Sequence, residues 1–210
     1  MKKMTPSEML EKASHVIQKE TDALLQLKNQ LKKNDLATIA GMMFECRGHI
    51  LVTGAGTSRA IALRFAHLLA CCGTPALPIN AADALHGGAG SIKKDDVIFV
   101  ISKGGQSREI NQFVEIAKGR GALLIAQTEK PDSPLGQMAD AIYHIVTPPA
   151  ADPYGMIATG TSLVNAIAGD ILCQILLDMR DYSREEFGLT HPEGAVGVRF
   201  DNIRGRRNKE

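Results

Sequence analysis

The sequence predicts an α/β fold, a doubly wound and mainly five-stranded parallel sheet flanked by helices. Short apolar runs of strand length alternate with helical segments, as parallel strands require because each pair needs a crossover between them. The chain also has 210 residues, 44% of them hydrophobic and 22% charged, which suits one α/β core. The predicted strands are 49–54, 76–80, 96–102, 122–128 and 141–146, and the helices between them lie near 58–72, 107–119 and 134–139.

A long amphipathic helix is predicted before the sheet. Thr5 is an N-cap residue, Pro6 suits the first helical position, and Glu8 completes a capping box. Apolar residues then recur on one face through Leu31. This apolar stripe needs a cover, either the domain's own sheet or a partner subunit. A shorter helix over 36–46 should lead into the first strand.

Two further helices are predicted after the sheet. Residues 159–179 are apolar on most faces, which indicates burial in the core or in a subunit interface. The sequence Ser-Arg-Glu-Glu at 183–186 has the pattern of a capping box and opens a short helix. We expect one domain over residues 1–198, with the N-terminal helix as an extension, followed by a flexible basic tail over 199–210.

Composition argues against several classes of partner. The formal net charge of +1 gives no reason to expect a nucleic-acid-binding surface. No run reaches the ~18 apolar residues of a spanning helix, and the first residues lack the apolar region of a secretory signal. We therefore expect a cytoplasmic protein with no membrane partner. The four cysteines lack paired metal-ligand spacing, which favours reduced thiols and no metal site.

The first predicted strand ends in a glycine-bearing turn into a helix, Gly-Ala-Gly-Thr-Ser-Arg at residues 54–59. A dinucleotide-binding fingerprint requires glycine where Arg59 stands and an acidic residue where Asn80 stands, so NAD binding is not predicted. Instead, Thr57 and Ser58 offer hydroxyl groups near a helix start. The alternative is a well-capped turn that binds no ligand.

A second loop rich in hydrogen-bond donors follows the third predicted strand. Residues 102–107, Ser-Lys-Gly-Gly-Gln-Ser, lead into a helix whose first backbone N–H groups lack partners within the helix. Partial positive charge there, with side-chain donors from Ser102, Gln106 and Ser107, favours an anion such as phosphate. Since the carboxyl ends of parallel strands open on one edge, both loops should meet at one crevice. We expect a small phosphorylated ligand.

These two loops resemble those of the sugar isomerase (SIS) domain, a phosphosugar-binding fold with a flavodoxin-like, three-layer arrangement. Residues 83–87, Asp-Ala-Leu-His-Gly, and 191–197, His-Pro-Glu-Gly-Ala-Val-Gly, are further similar to the arabinose 5-phosphate isomerase branch. The resemblance covers about residues 10–198 and lacks the cystathionine β-synthase repeats that often follow in that branch. The phosphate-binding residues that it implies are Gly56, Thr57, Ser58, Ser102, Lys103, Gly104, Gly105, Gln106 and Ser107.

The resemblance implies isomerisation of an aldose phosphate to a ketose phosphate through an enediolate, without a cofactor. Glu109 aligns with the family's proton-transferring glutamate; the alternative is a solvated glutamate that favours a helix start. His191 aligns with a histidine that reaches a neighbouring subunit's site, so a homodimer or homotetramer is expected. Its alternative role is to orient its own turn. His86, in the family's His-Gly element, is the third catalytic candidate and is expected to contact sugar hydroxyls.

The chain departs from the isomerase pattern at two positions. Thr57 stands where the family has a lysine, and Ala150 stands where it has a second glutamate. Asp152 is a candidate substitute for that glutamate, and Lys103 for the charge of that lysine. The departures leave the sugar open among pentose, hexose and amino-sugar phosphates. They also leave open a second function, a non-catalytic phosphosugar sensor or regulator in which the same loops bind ligand without turnover.

Overall fold

The computed structural model describes residues 3–207, the last seven of them by backbone only. Five parallel strands form one sheet in the order β2-β1-β3-β4-β5, which confirms the predicted fold class. The strands are β1 (Ile50–Gly54), β2 (Ala76–Pro78), β3 (Val97–Ile101), β4 (Leu123–Thr128) and β5 (Ala141–His144). The helices are α1 (Pro6–Leu31), α2 (Leu36–Phe44), α3 (Thr57–Cys71), α4 (Ala81–Ala84), α5 (Arg108–Gly119), α6 (Pro134–Met138), α7 (Thr159–Met179), α8 (Arg184–Thr190) and α9 (Gly194–Arg207).

Each face of the sheet buries its own apolar core, which explains why its central strands are apolar on both sides. On one face, Val52 and Phe99 pack among residues of α1, α2, α3 and α7. There Phe65 of α3 meets Phe99 edge to face, with ring centroids 5.0 Å apart. On the other face, Val100 packs with Phe113 of α5 and with residues of α4 and α6. The sheet is therefore the middle of three layers.

The second strand is shorter than the sequence predicts. It ends at Pro78 rather than at Asn80. The reason is that the Asn80 side chain accepts a hydrogen bond from the Ala82 N–H at 3.2 Å and caps α4, a helix that the sequence pattern did not reveal.

The N-terminal helix begins at the predicted capping box, in which Thr5 and Glu8 exchange both hydrogen bonds. Only Ala23 and Leu27 of this helix are buried. The apolar stripe of its first half is not covered by the described chain, and Leu10 is 70% exposed. The domain's own fold thus covers the second half of the stripe and leaves the first half bare.

Two side-chain amides occupy the free edge of the sheet at β5. Asn34 donates to the His144 carbonyl at 3.0 Å and accepts from the His144 N–H at 2.7 Å. Gln30 makes the same pair of bonds with Val146, both at 2.7 Å. Each amide thus imitates a neighbouring strand and satisfies backbone groups that an edge strand otherwise exposes.

Helix α7 is the central helix of the first core. Val164, Ala168, Leu172 and Leu176 are fully buried, as its apolar sequence predicts. Within residues 3–207, α7 is also the one helix long and apolar enough to cross a membrane by length and composition. Half of that apolar stretch is buried inside the fold, and core helices pass the same test.

The C-terminal segment is more helical than the sequence predicts. Helix α8 begins at the predicted capping box of Ser183 and Glu186. The backbone of residues 194–207 then forms α9, whereas a flexible tail was expected from residue 199; residues 208–210 lie outside the described residues. Helix α9 packs closely on α8, since a Cβ on Gly188 would lie 2.5 Å from the Phe200 ring.

Candidate active site

The strand order places a topological switch point between β1 and β3. From β1 the chain crosses to β2 on one side, and from β3 it crosses to β4 on the other. The loops after these two strands therefore diverge and leave a crevice at the carboxyl ends, where open α/β sheets bind ligands. The two loops singled out from the sequence, residues 55–58 and 102–107, both lie at this point.

A close backbone approach shapes the first loop. A Cβ on Gly54 would lie 2.9 Å from both the Ile101 carbonyl oxygen and the Ser58 carbonyl carbon, so only glycine lets α3 begin beside the end of β3. Gly56 is the N-cap of α3 with a φ of 55°, and it faces open space. No side chain caps α3, and the Thr57 and Ser58 hydroxyls form no hydrogen bond within residues 3–207. Their donors are available to a ligand.

The second loop is fixed at its base and open at its tip. The Ser102 N–H donates to the Gln127 carbonyl at 3.0 Å, which continues the pairing of β3 with β4. Gly105 has a φ of 62°, and a Cβ on it would lie 2.7 Å from the Ser133 Cβ, so this position accepts only glycine. Gly104, by contrast, is exposed, and a Cβ there would approach no atom closer than 4.0 Å. A ligand oxygen therefore has room beside the loop backbone.

Three side-chain donors of this loop lack partners. Ser107 is the N-cap of α5, yet its side chain does not cap the helix. The side chains of Ser102 and Gln106 likewise make no hydrogen bond in the described part of the chain. Together with the uncapped N-terminus of α5, this arrangement can bind an anion through several hydrogen bonds.

Glu109 lies in the first turn of α5, two residues after the last of these donors. Its side chain is half-buried and has no hydrogen bond or ion pair among the described residues. A carboxylate without a structural partner is able to exchange a proton with a bound molecule. The structure thus brings Glu109 together with the loop that the sequence predicts to bind phosphate.

The hydrogen bonds of His191 connect it to α8 and to neither loop. Its Nδ1 is 2.9 Å from the Phe187 carbonyl and 3.1 Å from the Thr190 hydroxyl, and its ring stacks on Phe187 with centroids 3.9 Å apart. Because Nδ1–H donates to a carbonyl, Nε2 is the ring nitrogen left to accept a proton. His86 is exposed just after α4, and its side chain makes no hydrogen bond within residues 3–207.

Asp152 and Lys103, the two residues expected to substitute for a glutamate and a lysine, are both engaged within the chain. The Asp152 carboxylate accepts from the N–H groups of Tyr154, Met156 and Ile157 at 2.9–3.0 Å. Desolvation acts to raise the pKa of Asp152, but these backbone hydrogen bonds outweigh it and lower that pKa below its usual value. The Lys103 ammonium lies 3.5 Å from Glu129 Oε1. Asp152 therefore organises its own loop, and Lys103 already has a counter-ion.

Sequence reasoning missed a polar wall on the other side of the second loop. A cavity of about 600 Å³ is lined by Gly104 and Gln106 from that loop, by Glu129 and Ser133 after β4, and by His144 at the end of β5. No role for Glu129 is predicted from the sequence. Its place directly after a predicted strand, at the same edge as the other loops, was the available signal.

Comparison with known proteins agrees with this picture. The SIS domain family model matches residues 42–169. The chain is 35% identical over 182 residues to arabinose 5-phosphate isomerase KdsD of Yersinia pestis, which covers 87% of this chain and 55% of that protein. It is 34% identical over 169 residues to arabinose 5-phosphate isomerase GutQ of Escherichia coli K12, covering 80% and 53% respectively. The chain thus spans about half the length of these relatives.

A solved structure is similar over nearly the whole chain. The c3406 protein of Escherichia coli CFT073, determined in complex with a sugar phosphate, has a TM-score of 0.84 at 27% identity. The match covers 90% of this chain and 100% of that one.

Proposed function

Because this chain belongs to the SIS domain family, we propose that it is a phosphosugar isomerase that interconverts an aldose phosphate and a ketose phosphate. One observation carries the proposal. Two loops with unpartnered donors meet at the switch point of the sheet, and an unpartnered carboxylate, Glu109, follows one of them in the first turn of α5. The loops supply a phosphate site, and the glutamate supplies a base a short distance along the same helix.

In the proposed reaction, the phosphate binds to the loops at 55–58 and 102–107 and holds the sugar in place. The Glu109 carboxylate removes the proton from the hydroxyl-bearing carbon next to the carbonyl, and the C–H electron pair forms the double bond of an enediolate. The protonated Glu109 then delivers a proton, after exchange with solvent, to the neighbouring carbon, while a hydroxyl proton moves to the other oxygen. No atom is gained or lost, and no cofactor is needed.

We further propose that the active form is a homodimer or homotetramer of cytoplasmic subunits. Each subunit would have one SIS unit over residues 1–198. His191 Nε2 would act in the site of a neighbouring subunit, assisting ring opening by proton transfer to an oxygen, while His86 would contact sugar hydroxyls. Mixing two inactive variants, Glu109→Gln and His191→Ala, tests this arrangement. In a dimer with His191 acting across the interface, equal mixing restores about a quarter of wild-type activity. No recovery would contradict it.

The first substrate to test is arabinose 5-phosphate, since KdsD and GutQ are named for it and c3406 was solved with a sugar phosphate. The resemblance found in the sequence implies that Thr57 and Ala150 stand where the isomerase branch has a lysine and a glutamate. Hexose and amino-sugar phosphates therefore belong in the same panel. We propose a sugar phosphate as the ligand class, with the carbon count to be decided by that panel.

Proton NMR in D2O with each sugar phosphate tests the function directly. Turnover should produce the isomer and remove the exchangeable proton signal at C1 or C2. Glu109→Gln should lower kcat by about a hundred- to ten-thousandfold, because the amide cannot accept the proton. Glu115→Gln is the matched control, since Glu115 lies on the exposed side of the same helix and has no partner in the described chain. A Glu109→Gln variant as active as the control would overturn the assignment of the base.

A second function is favoured by one specific observation, the engagement of both Asp152 and Lys103 by other groups of the chain. If neither replaces the missing family residues, the site binds a sugar phosphate without turning it over and acts as a sensor. Saturable binding of a sugar phosphate with no proton exchange on any member of the panel would establish this function. Exchange at either carbon would exclude it.

A further inference from the structure

Glu129 follows β4 directly, and its side chain is only 12% exposed. One carboxylate oxygen, Oε1, takes all of its partners. It accepts from the Thr147 N–H at 2.8 Å and from the Thr147 hydroxyl, and it lies 3.5 Å from the Lys103 ammonium. The other oxygen, Oε2, has no partner among residues 3–207. The carboxylate is therefore anchored at one end and free at the other.

Glu129 also belongs to the wall of the cavity described above. Glu129 lines that space of about 600 Å³ together with Gly104 and Gln106 of the proposed phosphate loop. A largely buried carboxylate is costly unless its surroundings compensate the charge. Here Lys103 and two donors of Thr147 supply that compensation, so the fold can hold a carboxylate beside the cavity.

Glu129 also joins three of the loops at the carboxyl edge of the sheet. Its N–H donates to the Lys103 carbonyl at 3.0 Å, which ties it to the loop after β3. Thr147 belongs to the segment after β5, and its hydroxyl lies 3.2 Å from that of Thr161 in α7. Glu129 is thus anchored to the same post-β5 segment in which Ala150 stands three residues later without a carboxylate.

We propose that Glu129 is a specificity-determining residue whose Oε2 accepts a hydrogen bond from a hydroxyl of the sugar. This inference rests on the proposed phosphosugar site, because it places the sugar portion of the ligand against the cavity wall next to the phosphate loop. Lys103 neutralises the carboxylate, so an acceptor for hydroxyls can sit close to a phosphate that would otherwise be repelled. The site then recognises a polyhydroxy phosphate in preference to phosphate alone.

The test compares two ligands in one protein, arabinose 5-phosphate and inorganic phosphate. Both are titrated calorimetrically into a Glu109→Gln protein, which prevents turnover, and into the same protein with Glu129→Gln added. In the variant the amide oxygen stays with the donors of Thr147, and the NH2 group replaces Oε2. We expect the dissociation constant of the sugar phosphate to rise about fivefold or more, because a charge-assisted acceptor is lost. The dissociation constant of inorganic phosphate should stay the same or fall, because a nearby negative charge is removed.

Weaker binding of the sugar phosphate, with inorganic phosphate bound as well as before or more tightly, separates recognition from a structural role. Equal weakening of both ligands would mean that Glu129 only shapes the loops, and this would overturn the inference, as would unchanged binding of the sugar phosphate. Glu115→Gln in the same background controls for loss of one negative charge at an exposed site. The two dissociation constants are measured without turnover. If NMR shows no isomerisation, they therefore still decide whether Glu129 recognises the sugar.

Discussion

The two ends of the sheet treat their polar groups in opposite ways. At the amino edge, Asp96 stands just before β3 and accepts from the backbone N–H groups of His49 at 2.9 Å and Lys93 at 2.8 Å. Asp140 stands just before β5 and accepts from the N–H of Leu124 at 2.7 Å. At the carboxyl edge, the side-chain hydroxyl and amide donors of the two loops at the switch point have no partners in the described chain.

The contrast separates groups that hold the fold from groups that can hold a ligand. A buried polar group without a partner costs free energy. A fold that satisfies such groups at one edge and leaves donors without partners at the other therefore has the second edge available for a ligand. Substitutions at the amino edge should lower stability and spare binding. Substitution of the unpartnered hydroxyl and amide donors at the carboxyl edge should weaken binding and spare stability.

The largest effect is expected for Asp96→Ala. Asp96 is 6% exposed, and loss of its carboxylate leaves the backbone N–H groups of His49, just before β1, and Lys93, in the turn before β3, without an acceptor. We expect a loss of about 3 kcal/mol in the free energy of unfolding, measured with urea, while KM for the sugar phosphate is unchanged. Asp95→Ala is the control, because the Asp95 side chain is exposed and unpartnered in the described chain, so its loss should stay within about 0.5 kcal/mol. Equal destabilisation by both variants would break the comparison.

A smaller effect is expected from two serines that occupy the same helical position. Ser107 and Ser183 are the N-caps of α5 and α8, but only the Ser183 side chain accepts a backbone N–H. Ser107→Ala should therefore weaken sugar-phosphate binding about fivefold with little change in stability. Ser183→Ala should cost about 1 kcal/mol of stability and leave binding intact. The measurements are calorimetric titration and urea unfolding of both variants. If Ser107→Ala lowered stability without weakening binding, the Ser107 hydroxyl would have a structural role and the prediction would be wrong.

The smallest effect is expected for Asp152. This residue lies at the carboxyl edge, but its carboxylate accepts backbone hydrogen bonds as the aspartates of the amino edge do. Its lowered pKa means that it stabilises its loop above the pKa of an unfolded aspartate, about 3.9, and that this stabilisation is lost as pH falls through the lower folded value. The amides of Met156 and Ile157 should therefore lose protection from hydrogen exchange as pH falls below about 4. At neutral pH, Asp152→Asn should reproduce that loss while keeping kcat. A large fall in kcat would restore Asp152 as a catalytic candidate.

The fold and the two loops follow from local sequence signals, whereas the wall of the site does not. Continuous apolar runs, capping boxes and glycines are signals carried by neighbouring residues, so the sheet and the loop at 102–107 were predictable. The contacts of Glu129 with Thr147 and Lys103 join residues 18 and 26 positions away, and only the packing of three loops brings them together. The contact of His191 with Phe187, by contrast, is local, since the two residues are four positions apart at the end of α8.

The side-chain amides of Gln30 and Asn34 occupy the backbone hydrogen-bonding groups at the β5 edge and so end the sheet there. A second copy that approached this edge would find the backbone groups of residues 144 and 146 already bonded, so two sheets have little means to join there into one continuous sheet. The bare first half of α1, by contrast, is a helical surface that the described chain leaves open. Two amide side chains thus protect this edge against the addition of a further strand, which is the step that leads to fibre-like stacking.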